Sequence, residues 1–236
     1  MIKGHELRLA KRMARLGTET AFEVLVKAKA LEAKGRDIIH LEIGEPDFDT
    51  PRNIIDAGCD ALHKGFTHYG PSAGLMELRE VIAQHVSETR QVSVTPDEVV
   101  VVPGGKPIIF FIILNSPQNP TGGVLEKKDI DGIARAIDDR NIMVLSDEIY
   151  SRLIFDGEHH SIMSVDGMKE RTILLDGFSK TYAMTGWRMG YGVMRAELAT
   201  HIARLMTNSA SCTASFTQVA GIEALRGSQA AVDAMR

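Results

Sequence analysis

The sequence predicts an α/β fold with a largely parallel sheet covered on both faces. Five short runs rich in Val and Ile alternate with helical stretches: EVVVV (98–102), FFIILN (110–115), IMVLS (142–146), TILLD (172–176) and MGYGVM (189–194). These runs are nearly continuous in apolar residues, the pattern of strands buried on both sides. Four of them lead directly into polar or glycine-rich loops, PGGK (103–106), NSPQNPTGG (115–123), DEIY (147–150) and GFSK (177–180). In sheets of this class ligands bind beyond the carboxyl ends of the strands, so these loops are where chemistry is expected.

The elements before the sheet follow from periodicity and punctuation. From Thr18 to Lys34 the apolar residues Phe22, Leu25, Val26 and Leu31 fall mainly on one helical face, and Gly35 stands where it would stop a helix. IIHLEIG (38–44) then reads as a strand ending in the turn-rich GEPDFDTP. Thr50 is placed to cap a helix that begins at Pro51 and runs to about Lys64, before Gly65. A further helix is expected from Gly74 to about Thr89, after the loop THYGPSAG.

Composition narrows the ligand class. Of the 236 residues 44% are hydrophobic and 25% charged, the balance of a folded globular chain, and the net charge of −4 provides no basic field for nucleic acid or an anionic membrane. Small molecules are therefore the expected ligands. Cys59 and Cys212 are far apart and lack metal-ligand spacing, so neither a disulfide framework nor a metal site is expected, and a reducing, cytoplasmic setting suits them. The basic N-terminus lacks the apolar stretch of a signal peptide, and no run approaches the ~18 apolar residues of a membrane span.

Several residues in the strand-end loops could carry chemistry. Lys180 follows an apolar strand; a partly buried lysine loses basicity and can form a Schiff base with a carbonyl, although a lone lysine is ordinarily a solvated one. Asp147 ends a strand buried on both faces, where an unpaired carboxylate is costly, so it requires a cationic partner. A metal and a protonated heterocyclic nitrogen both qualify. The metal reading needs a phosphate loop that Gly105-Lys106-Pro107 does not complete. Gly104 and Gly105 open a turn whose backbone N–H groups could hold an anion, or simply make the turn. Arg188 could grip phosphate at two points, with Ser179 adding a hydroxyl, although a salt bridge is the plainer role for an arginine. Asn119-Pro120-Thr121-Gly122 is by composition a turn.

Taken together, Asn119, Asp147, Tyr150, Lys180 and Arg188 arrive in order with separations of 28, 3, 30 and 8 residues. This set, with LEIGEPDFDTP, HYGPSAG, PGGK, NSPQNPTGG, SDEIY and GFSKTYAMTGWRMGY, resembles the class I aminotransferases of fold type I, in particular those related to bacterial aspartate aminotransferases. The resemblance implies a three-layer α/β/α architecture and pyridoxal 5'-phosphate as cofactor. It implies that Lys180 binds the cofactor covalently, that Asp147 pairs with the pyridine nitrogen, and that Tyr150 and Asn119 hydrogen-bond the ring hydroxyl oxygen. Arg188, Ser179 and the backbone around Gly104, Gly105 and Lys106 would hold the phosphate, with Tyr69 reaching it from a partner subunit in a homodimer. Gly44 and Asn119 would lie by the substrate. The implied reaction is ping-pong transfer of an amino group from an amino acid to a 2-keto acid.

The chain departs from the family in two places. GGKPIIFF runs almost directly into IILNSPQNPTGG, which puts a seam near Phe111 and Ile112 where the family carries a longer stretch. A smaller change is Gly177, where many relatives have a phosphate-binding serine. The chain also ends within a helical pattern, before the family's C-terminal small domain. The expected division is thus 1–50 as N-terminal arm and start of the small domain, and 51–236 as the large cofactor-binding domain. A genuine deletion at the seam would expose unpaired sheet backbone, which favours a fragment over a shortened protein. A lyase on the same fold would use the same lysine and aspartate, and a catalytically silent binding or dimerisation module is the alternative of a different class.

Overall fold

The computed structural model describes residues 20–105 and 112–235. Two compact units are present, Met1–Gly44 and Glu45–Arg236. In the first, α1 (Thr20–Glu32) ends as expected just before Gly35, which takes the left-handed φ of +79°. Leu25 and Leu31 are half-buried on the expected face, while Val26 is exposed. The strand expected over 38–44 is not formed. Its alternating pattern is that of a strand, but a strand needs a hydrogen-bonding edge, and none pairs with it among the described residues. Ile39 and Leu41 are exposed, and the His40 ring instead bonds Glu32 and Glu42 at 2.8 and 2.7 Å.

The second unit holds a five-stranded sheet in the order β1-β5-β4-β3-β2, formed by β1 (Val99–Val102), β2 (Ile112–Asn115), β3 (Val144–Asp147), β4 (Thr172–Gly177) and β5 (Gly190–Val193). All five expected apolar runs supply a strand. β2, β3 and β4 pair in parallel, with Asn115 opposite Asp147 and Asp147 opposite Leu175. β5 is the exception to the parallel expectation: it runs antiparallel to both β4 and β1. The twelve residues between TILLD and MGYGVM form turns and a single 3-10 turn (Thr185–Trp187) with no α-helix, so no helical crossover carries the chain back to start a parallel neighbour.

Helices cover both faces. The helices are α2 (Arg52–His63), α3 (Met76–Arg90), α4 (Lys127–Ala136), α5 (Ala196–Ser209), α6 (Ser215–Arg226) and the short α7 (Ala230–Met235). The period-two geometry of β1 divides its four fully buried valines between two cores. Val99 and Val101 pack with Ile54 of α2, Leu78 and Ile82 of α3 and Ala220 of α6. Val100 and Val102 pack with Ala199 and Met206 of α5. Each such valine contributes about 1.5–3 kcal/mol of burial, and the two-sided arrangement makes the three-layer α/β/α architecture. α2 and α6 approach closely through small residues: a Cβ on Gly58 would lie 3.5 Å from that of Ala220 and 2.8 Å from the Trp187 ring.

Two helix starts differ from expectation. Pro51 itself occupies the cap position of α2, and Thr50 does not cap; its hydroxyl donates to the Ala183 carbonyl at 2.5 Å. α3 begins at Met76 rather than Gly74, because Gly74 has φ +101° and lies against Val101, whose N–H donates to the Ala73 carbonyl. That bond occupies the outer edge of β1 with a loop. Cys59 and Cys212 are both free thiols. Among the described residues no helix is long and apolar enough to cross a membrane.

Candidate active site

The carboxyl ends of β2, β3 and β4 lie side by side, and β1 points the same way. Because β5 is antiparallel, it is the residues before it that reach this edge, which is how Arg188 arrives there: Gly190 pairs with both Val102 and Gly177. One side of the sheet edge therefore gathers the loops after β1, β2 and β3 and the connection from β4 to β5.

Close glycine approaches hold these loops together. Gly104 has φ +78°, and a Cβ there would lie 2.5 Å from Nη2 of Arg188. A Cβ on Gly105 would meet Leu175 at 2.8 Å, and one on Gly190 would sit 3.3 Å from the Gly105 nitrogen. A Cβ on Gly177 would lie 2.8 Å from the Gly190 Cα. The 104–105 turn is thus pressed against the ends of β4 and β5, with the guanidinium of Arg188 alongside. Arg188 itself takes a left-handed φ of 51°, uncommon for a residue with a side chain, and Nη1 donates to the Thr185 carbonyl at 2.8 Å. Such strain at a strand end is a mark of functional sites. Substituting Gly104 by alanine is expected to cost about 1–2 kcal/mol, because the backbone angle and the guanidinium both oppose a methyl group; thermal unfolding of the variant measures it.

The loop after β2 folds on itself. The Asn115 side chain accepts the Asn119 N–H at 3.0 Å and donates to the Asp147 carbonyl, and the Gln118 N–H donates to the Gly123 carbonyl. The Ser116–Pro117 and Asn119–Pro120 peptides are cis. With its backbone held by Asn115, Asn119 donates from Nδ2 to the Tyr150 hydroxyl at 3.1 Å. The Lys180 amine stands 5.7 Å from the centre of the Tyr150 ring. Asn119, Tyr150 and Lys180, far apart in sequence, are therefore neighbours.

The electrostatics separate these residues from ordinary surface groups. Lys180 is half-buried, and burial lowers its pKa; the nearby charge of Glu45 opposes that shift and Arg188 adds to it. Asp147 is half-buried at the end of β3, and burial, with the adjacent Glu148 charge, raises its pKa against the Ile149 N–H it accepts. No cationic side chain of the described residues forms an ion pair with Asp147. Burial likewise raises the Tyr150 phenol. Ser179 is half-buried immediately before Lys180.

Lys106 lies outside the described residues, as does Phe111 of the seam. Tyr69 is 89% exposed and shares no hydrogen bond or ring contact with the others. Gly44 ends the first unit. Sequence reading missed Arg90, Glu148 and Asp176, which form a buried ion cluster behind the site. One signal was available: Asp176 ends an apolar run just as Asp147 does, and a carboxylate in that position demands a partner.

The family model "Aminotransferase class I and II" matches residues 36–113 and 109–236. Its two segments meet where the seam was expected. An aspartate aminotransferase of Bacillus sp. strain YM-2 is 31% identical over 291 aligned positions, covering 97% of this chain and 74% of that protein. The alignment is longer than the 236-residue chain, so the relative has a stretch with no counterpart here. Aromatic-amino-acid aminotransferase 2 of Thermococcus litoralis is 35% identical and covers 84% of this chain and 68% of its own. Among solved structures, a tetra mutant of Thermus thermophilus aspartate aminotransferase complexed with tryptophan superposes with a TM-score of 0.92 at 29% identity, covering 98% of this chain and 77% of that one.

Proposed function

The chain belongs to the class I and II aminotransferases, which depend on pyridoxal 5'-phosphate, and from that membership we propose how its own residues bind the cofactor and move the amino group between an amino acid and a 2-keto acid. The observation that carries the reading is Asp147, a half-buried carboxylate without a cationic partner among the described residues, beside the Asn119–Tyr150 pair and the Lys180 amine. A protonated pyridine nitrogen is the cation this position lacks. The donor set fits the rest of the cofactor: a primary amine of lowered pKa for its aldehyde, a phenol and an amide for its ring oxygen, and for its phosphate an arginine against a glycine turn that a Cβ would fill.

When bound, pyridoxal phosphate supplies the electron sink that stabilises negative charge at the substrate Cα and carries the amino group between half-reactions. Asp147 keeps the proton on the ring nitrogen, which preserves that sink. Asn119 and Tyr150 orient the ring through its hydroxyl oxygen, the Asn119 amide leaving the Tyr150 proton available to donate. Arg188, Ser179 and the backbone of Gly104 and Gly105 hold the phosphate, and Lys106 is assigned to the same task. The Lys180 Nζ takes the proton from Cα as base and returns it as acid, a role that burial suits by lowering its affinity for protons.

The exposed Tyr69 is assigned to the phosphate site of a partner subunit in a homodimer, and Gly44 and Asn119 to the substrate carboxylate. Residues 51–236 form the cofactor-binding domain in this reading, and the two free thiols suit a cytoplasmic enzyme. The test is transfer of nitrogen label from aspartate or an aromatic amino acid to a 2-keto acid by the cofactor-loaded protein, followed by nuclear magnetic resonance. Asp147→Asn is expected to lower kcat by about a hundredfold or more while the fold persists. Label transfer at the wild-type rate in that variant would remove Asp147 from the reaction.

A further inference from the structure

Behind the cofactor-binding residues lies a buried polar cluster that the reaction does not use. Arg90, in the last turn of α3, is 5% exposed; its Nε donates to Glu148 at 2.8 Å and its Nη2 to Asp176 at 2.9 Å and to Ser151 at 3.2 Å. Glu148, 1% exposed, also accepts from Ser146, Ser161 and the His159 Nε2, at 3.0, 2.6 and 2.7 Å. Asp176 accepts the Gly177 N–H at 2.7 Å. Burial alone would raise both carboxyls, but Arg90 and His159 outweigh it at Glu148 and hold that group at about 2. Asp176 has fewer donors and the Glu148 charge nearby, and burial pushes it up to about 6 despite Arg90.

The positions of these partners matter more than their number. Glu148 follows Asp147, Ser151 follows Tyr150, and Asp176 stands four residues before Lys180. The parallel ladder between β3 and β4 ends here, its last rung the Glu148 N–H to the Leu175 carbonyl at 2.9 Å. Past that rung the two segments have no further ladder between them. Consecutive residues of an extended chain point to opposite faces, so Glu148 is directed away from the face that Asp147 presents. One guanidinium thus grips, from behind, both segments that carry the reacting groups in front.

We propose that Arg90 is a positioning residue for amino-group transfer: by bridging Glu148 and Asp176 it sets the spacing between the Asp147–Tyr150 segment and Lys180. The inference rests on the reading of Asp147 and Lys180 as cofactor-binding residues. A planar fork with separate donors is needed to span two carboxylates in fixed geometry, and a lysine ammonium, though equally charged, is a single point. Displacements of about 1 Å remote from the reacting atoms can cost about a hundredfold in rate.

The test compares wild type with Arg90→Lys, both loaded with pyridoxal phosphate and assayed well below their unfolding temperatures. The expected result is a folded protein that still binds the cofactor, with kcat lowered about a hundredfold and KM changed little. The visible circular dichroism of the bound cofactor should change with it, because that signal reports how the ring is held. Should Arg90→Lys fail to fold, Asp176→Asn breaks the same bridge isosterically and is read the same way. Wild-type kcat and an unchanged visible dichroism signal in a folded variant would overturn the proposal and leave Arg90 a purely structural residue. A wild-type protein that binds no pyridoxal phosphate would instead refute the underlying reading of Lys180, and the positioning role with it.

Discussion

Lys180→Ala is expected to reduce amino-group transfer by about four orders of magnitude and to remove the visible absorbance of bound pyridoxal phosphate. The size of the effect follows from the two tasks that converge on one atom. In the proposed reading Nζ is at once the group that bonds the cofactor's aldehyde and the base that handles the Cα proton. Alanine supplies neither, and no second amine of the described residues stands over the Tyr150 ring as Lys180 does. Lys180→Arg should be as inactive, since a guanidinium stays protonated at any working pH and cannot act as base or nucleophile. The fold should survive both changes. Lys180 lies in the turn after β4, outside the apolar clusters that hold the sheet and helices together. Steady-state kinetics with an absorbance scan check both expectations, and measurable turnover by Lys180→Ala would displace Lys180 from the centre of the reaction.

The largest expected effect on stability is that of Arg90→Met, about 3–5 kcal/mol, or a fall of roughly 10 °C in Tm. Methionine fills much of the space but strands Glu148 and Asp176, both nearly fully buried, without their shared cation. Removing one member of a buried ion cluster costs more than the cluster contributes, because the remaining charges keep their desolvation penalty. Adding Glu148→Gln and Asp176→Asn to Arg90→Met removes those charges, and should restore a good part of the lost Tm. Differential scanning calorimetry of the single and triple variants distinguishes stranded charge from lost packing: if the triple variant is no more stable than the single one, packing is the cause.

The strands and the residues of the candidate site were legible in the sequence for the same physical reason. A strand buried on both faces must be apolar along its length, so EVVVV, IMVLS and TILLD stand out, and the first polar residue after each marks the edge where chemistry is possible. Asn119, Asp147, Tyr150 and Lys180 all sit at such edges. The errors fall where the outcome depends on a distant partner. IIHLEIG has the alternation of a strand but no edge to pair with among the described residues. Thr50 has the composition of a helix cap, yet its hydroxyl finds the Ala183 carbonyl, 133 residues away. The direction of β5 depends on the lack of a helical crossover before it, which the apolar pattern alone does not reveal. The Arg90 cluster was hidden because Arg90, Glu148 and Asp176 meet only after α3 packs on the sheet.

The central claim is that Lys180 is the residue to which pyridoxal phosphate attaches. Loading the purified chain with pyridoxal phosphate, reducing with borohydride, and mapping the modified peptide by mass spectrometry tests it most directly, since reduction converts the bond between amine and cofactor into a stable one. The expected result is a pyridoxyl group on Lys180, lost when an amino acid is added before the reductant. A label on another lysine, or none in a protein that remains folded, would contradict it.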